Sequence, residues 1–290
     1  MLHLLGQGPL AIEERHFYDF YNRYLAGNQI DSRQITKTPV EMIASATINN
    51  YTQRELRWLG IETVEGKDGL VAVLTTRGAT QRYGDYYSDG TEWLTQQIAL
   101  CNGNPLVNAM LWRVDSPGGQ LNGSQNMAAS VRDSVKPIVG FGTNMVASAA
   151  FWAFSQCLEC YLENEITAAG SIGTMSVYVD KSEALAKAGE KYLILRSSGA
   201  EDKNALNGIE AFEGEYQQKA IIQEQKVLDA SRKIFLQEVQ QKRVALTTDP
   251  GGSIFYGKEA VKIGLADGLM GFDNALKRAD VLGLQYKRNN

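Results

Sequence analysis

The chain has 290 residues, 44% of them hydrophobic and 21% charged, a composition that excludes a disordered or fibrous chain and suits one large α/β domain or two small ones. With 29 basic against 33 acidic residues, the formal charge of -4 offers no basic field, so neither nucleic acid nor a membrane surface is an expected partner. The two histidines, His3 and His16, both lie in the first sixteen residues, which starves the rest of the chain of the commonest catalytic and metal-binding side chain.

In chain order, the opening MLHLLGQGPLAIEE carries no Lys or Arg and no sustained apolar core, so it does not read as a secretory signal and the mature chain is expected to begin here. Residues 1–68 read as an N-terminal extension, with helical patches at Ile12–Leu25, Pro39–Ile48 and Gln53–Leu59 broken by Gly27, Gly60 and Gly66. From Gly69 short apolar runs alternate with amphipathic segments, as βαβ units require. Strands are predicted at Leu70–Leu74, Val107–Val114, Ile138–Phe141, Leu158–Leu162, Met175–Val179 and Tyr192–Leu195. Helices are predicted at Thr91–Leu100, Asn122–Val135, Ser148–Ser155 and Ser182–Ala188. Continuous apolar strands are usually covered on both faces, so the expected fold class is α/β with a parallel, helix-flanked sheet.

The most apolar stretch, Met145–Phe154, is about ten residues, short of the ~20 that cross a bilayer, and reads as a buried helix. A long helix is predicted over about Glu213–Ala245, where Ile221, Leu228 and Phe235, flanked by Ala220, Val227 and Ile234, form one apolar stripe. That stripe packs on the sheet or, in part, on a neighbouring subunit. Three cysteines, Cys101, Cys157 and Cys160, are an odd count that points to a reducing compartment; without a second pair or a nearby His they read as packing residues, and no metal site is expected.

Four turns could carry chemistry. Asp115-Ser116-Pro117-Gly118-Gly119 stands between a strand and a helix, where it is either an ordinary turn or a set of backbone amides turned toward developing negative charge. Ser148, among small residues in Met145-Val146-Ala147-Ser148-Ala149-Ala150, is either a helix N-cap or a nucleophile with steric room around its hydroxyl. Ser171 in Ala169-Gly170-Ser171-Ile172-Gly173 reads by itself as a turn residue, and Lys203 in Ser197-Ser198-Gly199-Ala200-Glu201-Asp202-Lys203 as a surface lysine. A nucleophilic Ser148 needs a base, however, and with no histidine in the sheet-forming region a desolvated, neutral lysine is what remains.

Taken in order, DSPGG, the serine among small residues, GSIG, a lysine 55 positions after that serine and Tyr256-Gly257-Lys258-Glu259-Ala260-Val261-Lys262-Ile263-Gly264-Leu265-Ala266-Asp267 resemble the signal peptide peptidase A family of serine peptidases. Within it the organisation is most similar to the capsid-assembly proteases of tailed phages, which carry a comparable N-terminal segment with a short apolar opening like Gly8-Pro9-Leu10-Ala11-Ile12. The resemblance implies a Clp-protease/crotonase-like fold of repeated ββα units over 69–280, preceded by the extension and followed by a tail at 281–290. It implies Ser148 as nucleophile, Lys203 as general base, the amides of Gly119 and Ala149 as oxyanion donors, and Ser171 as support for the lysine. Ala149-Ala150 stands where the family usually has glycine, and three residues rather than two separate the Ser-Gly turn from Lys203, with Lys191 and Lys181 as alternative bases.

A free lysine has a pKa of about 10.4, and lowering it by about 3 units corresponds to about 4 kcal/mol of differential solvation, so such a base has to sit in a closed pocket. The scheme needs no cofactor, and nothing in the chain resembles a phosphate-binding GxxxxGK[ST] loop. Substrates are expected to be extended protein or peptide segments, with a pocket of Gly118, Met145 and Val146 suited to small apolar side chains. Homo-oligomerisation is implied by the resemblance. The expected role is head maturation on capsid or scaffold precursors in the cytoplasm of a bacterium or infected host, or inside a procapsid. The alternatives are a cytoplasmic housekeeping peptidase and an inactive scaffold component.

Overall fold

A computed structural model describes residues 10–12, 53–58, 61–84 and 90–289. The helical patches expected at Ile12–Leu25 and Pro39–Ile48 lie outside these residues, save Ile12, which ends a short strand β1 (Leu10–Ile12). Then follow α1 (Gln53–Trp58), β2 (Glu62–Glu65), β3 (Leu70–Arg77), α2 (Thr91–Gly103), β4 (Val107–Ser116), β5 (Gly118–Gln120), α3 (Ser124–Arg132), β6 (Ile138–Ala147) and α4 (Ser148–Phe154). The second half of the chain contributes β7 (Glu159–Leu162), β8 (Ala168–Gly170), α5 (Ser182–Lys187), α6 (Glu215–Lys242), β9 (Ile254–Tyr256), α7 (Gly257–Lys262), β10 (Gly268–Leu269) and α8 (Phe272–Asn289).

The main sheet runs in the order β10-β7-β6-β4-β3-β2, parallel throughout except for the edge pair β2–β3. Alternation along the strands sends successive side chains to opposite faces. Ala72, Leu74, Met110, Trp112 and Val114 join the core beneath α2, α3 and α4, whereas Val71, Ala109, Leu111, Val139 and Phe141 pack with Ala275, Ala279 and Leu282 of α8. Both faces are covered, which explains the near-continuous apolar runs of β3, β4 and β6 and yields the expected α/β class.

β6 is long enough to pair twice, first with β7 through Val139–Gly142 and then with β8 through Met145–Ala147. β8 is in turn held by antiparallel β9. The two-stage pairing creates a second, smaller layer at the carboxyl end of β6.

The long helix is anchored by its C-terminal half. Phe235 stacks on Trp152 with ring centroids 4.6 Å apart and planes 8° from parallel, and Glu238 accepts hydrogen bonds from Trp152 Nε1 and Gln125 Nε2, both at 2.8 Å. In its N-terminal half Tyr216, Ile221, Ile222 and Val227 are exposed.

Several expectations need correction. Met175–Val179 and Tyr192–Leu195 are not strands; Val177, Tyr178, Val179, Tyr192, Leu193 and Leu195 are exposed in irregular backbone. Apolar, β-branched sequence suffices for a strand only when another strand supplies the ladder, and none of the described strands of this single chain pairs with either run. Of the stretch expected as a tail at 281–290, residues 281–289 are the second half of α8, held down by buried Leu282 and Gly283. The sheet also begins before residue 69, because β2 pairs with β3.

Candidate active site

β4 and β6 lie side by side and deliver two turns to the same end of the sheet. After β4, Gly118 adopts φ +90°, a left-handed conformation that favours glycine. Gly119 is required for another reason: a Cβ there would collide with the backbone of Thr80. That close approach is locked by hydrogen bonds from Thr80 N to Gly118 O and from Gln120 N to Thr80 O, both 2.8 Å. Successive residues of a strand aim their amide groups to alternate sides. With Gly118 O and Gln120 N turned toward Thr80, the N–H of Gly119 points the other way, to the side on which β1 pairs with β5.

β6 ends at Ala147, and Ser148 turns the chain into α4 with φ +53°. A non-glycine residue in that region stores backbone strain of order 1–3 kcal/mol, which persists only where the surroundings over-determine it. Here they do: every residue of α4 is buried, and Phe151, Phe154 and Trp152 wedge the helix into the core. Ser148 itself is 1% exposed. The N–H of Ala149, in the first turn, has no intrahelical acceptor. The side chains of Ala149 and Ala150 are fully buried, so the pair that stands in place of glycine faces core rather than solvent.

Parallel pairing of β6 with β8 sets Ala147 opposite Gly170. The next residues along the two strands are Ser148 and Ser171, which the register therefore carries to neighbouring strand ends. Ser171 has φ +57°, nearly the same strained conformation as Ser148. Its amide is tied to Ser253 O at 2.8 Å, and Gly170, at φ +123°, leaves room for that same carbonyl. Ser148 and Ser171 are two of the three non-glycine residues at positive φ among the described residues, the third being Asn204, next to Lys203.

Of the residues expected to line a pocket, Met145 groups with Ala147, Ala168 and Ile254 on the outer layer. Val146 belongs to the main core on the opposite face and is fully buried, so strand alternation removes it from any pocket.

The structure does not bury any of the three candidate bases. Lys203, Lys191 and Lys181 are all exposed in the segment after Ser171. The turn that bears Lys203 is nevertheless well defined: its amide donates to Ala200 O at 3.0 Å, and its carbonyl accepts from Arg196 Nε at 2.7 Å. Arg196 is in turn paired with Glu210 at 2.5 Å, and Ala205 is buried behind the turn.

A different lysine is buried. Lys136, 8% exposed, precedes β6 and donates from Nζ to Cys101 O at 2.7 Å and to Asn104 O at 2.5 Å, capping the carbonyl end of α2. Burial pushes its ammonium pKa down. It sits at the opposite end of β6 from Ser148, so its role is to satisfy helix carbonyls. Sequence reading missed it because a lysine before a proline resembles any loop residue.

The motif from Tyr256 to Asp267 proves architectural. Side chains at Gly257 and Gly264 would strike the backbones of Glu165 and Ala245, and the Asp267 carboxylate accepts from Cys160 N at 2.6 Å and from Arg243 at 2.7 Å. Cys157 and Cys160 are fully buried, with Cys160 Sγ donating to Phe154 O at 3.0 Å, and burial raises the Cys157 thiol pKa. Both are packing residues of the core.

An α/β fold with a strained serine at a strand-to-helix turn beside a glycine-rich strand is the setting for acyl-transfer chemistry. The chain belongs to peptidase family S49, whose family model matches residues 130–284 and so includes Ser148, Ser171 and Lys203. It is 28% identical over 241 residues to Protease 4 of Salmonella typhi, covering 81% of this chain and 38% of that protein. Over 194 residues it is 29% identical to Capsid assembly protease C of Escherichia phage lambda, covering 64% of this chain and 42% of that protein. The chain thus spans about two fifths of the length of these curated relatives. Among solved structures it is similar to a ClpP1 mutant from Listeria monocytogenes, with a TM-score of 0.45 and 13% identity over 71% of this chain and 94% of that one. Among the described residues no helix is long and apolar enough to cross a membrane.

Proposed function

We propose that this chain is a serine endopeptidase in which Ser148 attacks a peptide carbonyl and Lys203 takes its proton, later returning it to the leaving amine. Gly119 and Ala149 supply the amides for the oxyanion, each worth about 3 to 4 kcal/mol of barrier when well aimed. Ser171 supports the lysine, and residues 69–280 carry the activity. The observation that carries this reading is the register of β6 on β8, which sets two strained serines at adjacent strand ends.

Desolvation is what makes a lysine a usable base, so activity requires that the segment bearing Lys203 be covered. The same segment displays Val177, Tyr178, Val179, Leu193 and Leu195, and the first half of α6 adds Ile221 and Ile222. So much apolar surface on one arm is characteristic of a surface that meets another protein. The reading therefore includes association of copies of this chain, which buries the arm and desolvates the lysine. Its substrates are protein segments in extended form. Similarity to a phage capsid assembly protease supports a head-maturation role on capsid or scaffold precursors, in the infected cytoplasm or within a procapsid.

The test is labelling by a fluorophosphonate together with cleavage of a co-expressed capsid precursor. Both should vanish in Ser148→Ala, and cleavage should vanish in Lys203→Ala, with the fold intact. A folded, associated protein that neither labels nor cuts would favour a scaffold component instead.

A further inference from the structure

β1 has no place in the main sheet. It pairs antiparallel with β5 alone, setting Leu10 opposite Gln120, Ala11 opposite Gly119 and Ile12 opposite Gly118. Because the other side of β5 is taken by Thr80, β1 occupies the side to which Gly119 directs its N–H and C=O. Both β1 and β5 lie against α4, the helix that Ser148 begins.

An extended substrate adding to β5 in order to place its carbonyl on Gly119 would use this same edge, since strand addition works through main-chain hydrogen bonds. Two chains cannot both accept the Gly119 N–H in that geometry. We infer that β1 is a pseudo-substrate: the chain's own Leu10-Ala11-Ile12 fills the substrate strand beside Ser148 and competes with peptides for it. This rests on the peptidase reading given above and extends it to the regulation and substrate class of that site. The occupant also reports what the site takes, an extended aliphatic segment with a small residue opposite Gly119.

The pairing is built to be displaced. A three-residue strand in a two-stranded sheet is marginal in isolation, and Gln120 is 110 positions from Leu10, so no tight hairpin holds the two together.

The experiment uses the full chain with Ala11→Pro, which removes the N–H that pairs with Gly119 and disfavours the strand. In the Ser148→Ala background, which cannot cut, hydrogen exchange at Gly119 should accelerate about tenfold on adding Ala11→Pro, while that at Gln120, bonded to Thr80, stays slow. A synthetic peptide of residues 7–15 should restore the protection. With Ser148 present, Ala11→Pro should lower KM for an aliphatic peptide about tenfold and leave kcat unchanged, the pattern of a relieved competitor. Unchanged exchange at Gly119, no protection by the peptide, or a lowered Tm in Ala11→Pro, which would make β1 a structural strand, each overturns the inference. If exchange behaves as expected and no variant hydrolyses any peptide, the peptidase reading fails and the pairing of β1 at a peptide-binding edge stands.

Discussion

The packed sheet from Leu70 to Gly170 and the arm from Ile172 to the middle of α6 are written in similar residues and meet different fates. β3, β4 and β6 bury nearly every side chain, whereas Val177, Tyr178, Val179, Tyr192, Leu193 and Leu195, equally apolar, stand in solvent. β3, β4 and β6 each find a parallel neighbour on the same chain; the arm finds the flank of α6, through Thr174 Oγ1 to Leu228 O at 2.9 Å and Ser176 Oγ to Glu224 Oε1 at 2.6 Å. Apolar content thus marks what must be buried, and topology decides whether one chain can bury it. In the proposed mechanism the nucleophile, Ser148, sits on the half that is complete and the base, Lys203, on the half that is not, so that mechanism ties activity to association.

The largest expected effects break that pair. Ser148→Ala should lower peptidase turnover by more than about 10³-fold, and Lys203→Ala comparably, with Tm shifts of no more than a few degrees in scanning calorimetry. Retained turnover in either would remove that residue from the chemistry. Next come the residues that hold the complete half. Phe235→Ala should cost about 3–5 kcal/mol in urea unfolding, because it empties a fully buried site and strips the stacked face of Trp152. Gly119→Ala should cost about 2–3 kcal/mol, since the new Cβ meets the Thr80 backbone, which has no flexible end to yield.

The arm should answer differently. Leu195→Asp, at a side chain 82% exposed, should change the unfolding free energy by no more than about 0.5 kcal/mol yet shift the particle toward single chains in sedimentation and reduce activity in parallel. A monodisperse single chain before and after that change would refute association as the route to a buried base.

The smallest effect is electrostatic. Glu159 of β7 is paired with Arg278 of α8 at 2.5 Å, and that hydrogen bond, more than any other influence, holds the Glu159 carboxyl below its usual pKa. A depressed folded-state pKa contributes stability above the unfolded value of about 4.3 and loses it as pH falls through the folded value. Arg278→Ala should therefore cost on the order of 0.5–1 kcal/mol at pH 7, discounted for partial exposure, and less at pH 3, as read by denaturant melts at the two pH values.

How much of this was legible beforehand depended on length and on neighbours. β3, β4, β6, α2, α3 and α6 could be read because periodicity accumulates over eight or more residues, and α4 because ten apolar residues without charge can only be core; the 18-residue α8 could not, because its buried face consists mostly of small residues, Ala275, Ala279 and Gly283. β5, β8, β9 and β10 could not, being two or three residues each and held by partners remote in sequence, such as Gly170 against Ile254. β1 was hidden for the same reason, since nothing in Leu10-Ala11-Ile12 names Gly119 as its partner.

The α/β class and the covering of the sheet on both faces follow from local pattern in the sequence, whereas the shortlist of Ser148, Ser171, Gly119 and Lys203 came from the family resemblance that the ordered motifs carry. The packing of the whole chain was needed to show that Ser148 and Ser171 share a strand-end register, that Gly119 is glycine because Thr80 lies against it, that Val146 faces the core, and that all three candidate lysines remain in solvent. Each of these is a relation between residues far apart in the chain, and such relations are set by which strand pairs with which, a property no local pattern contains.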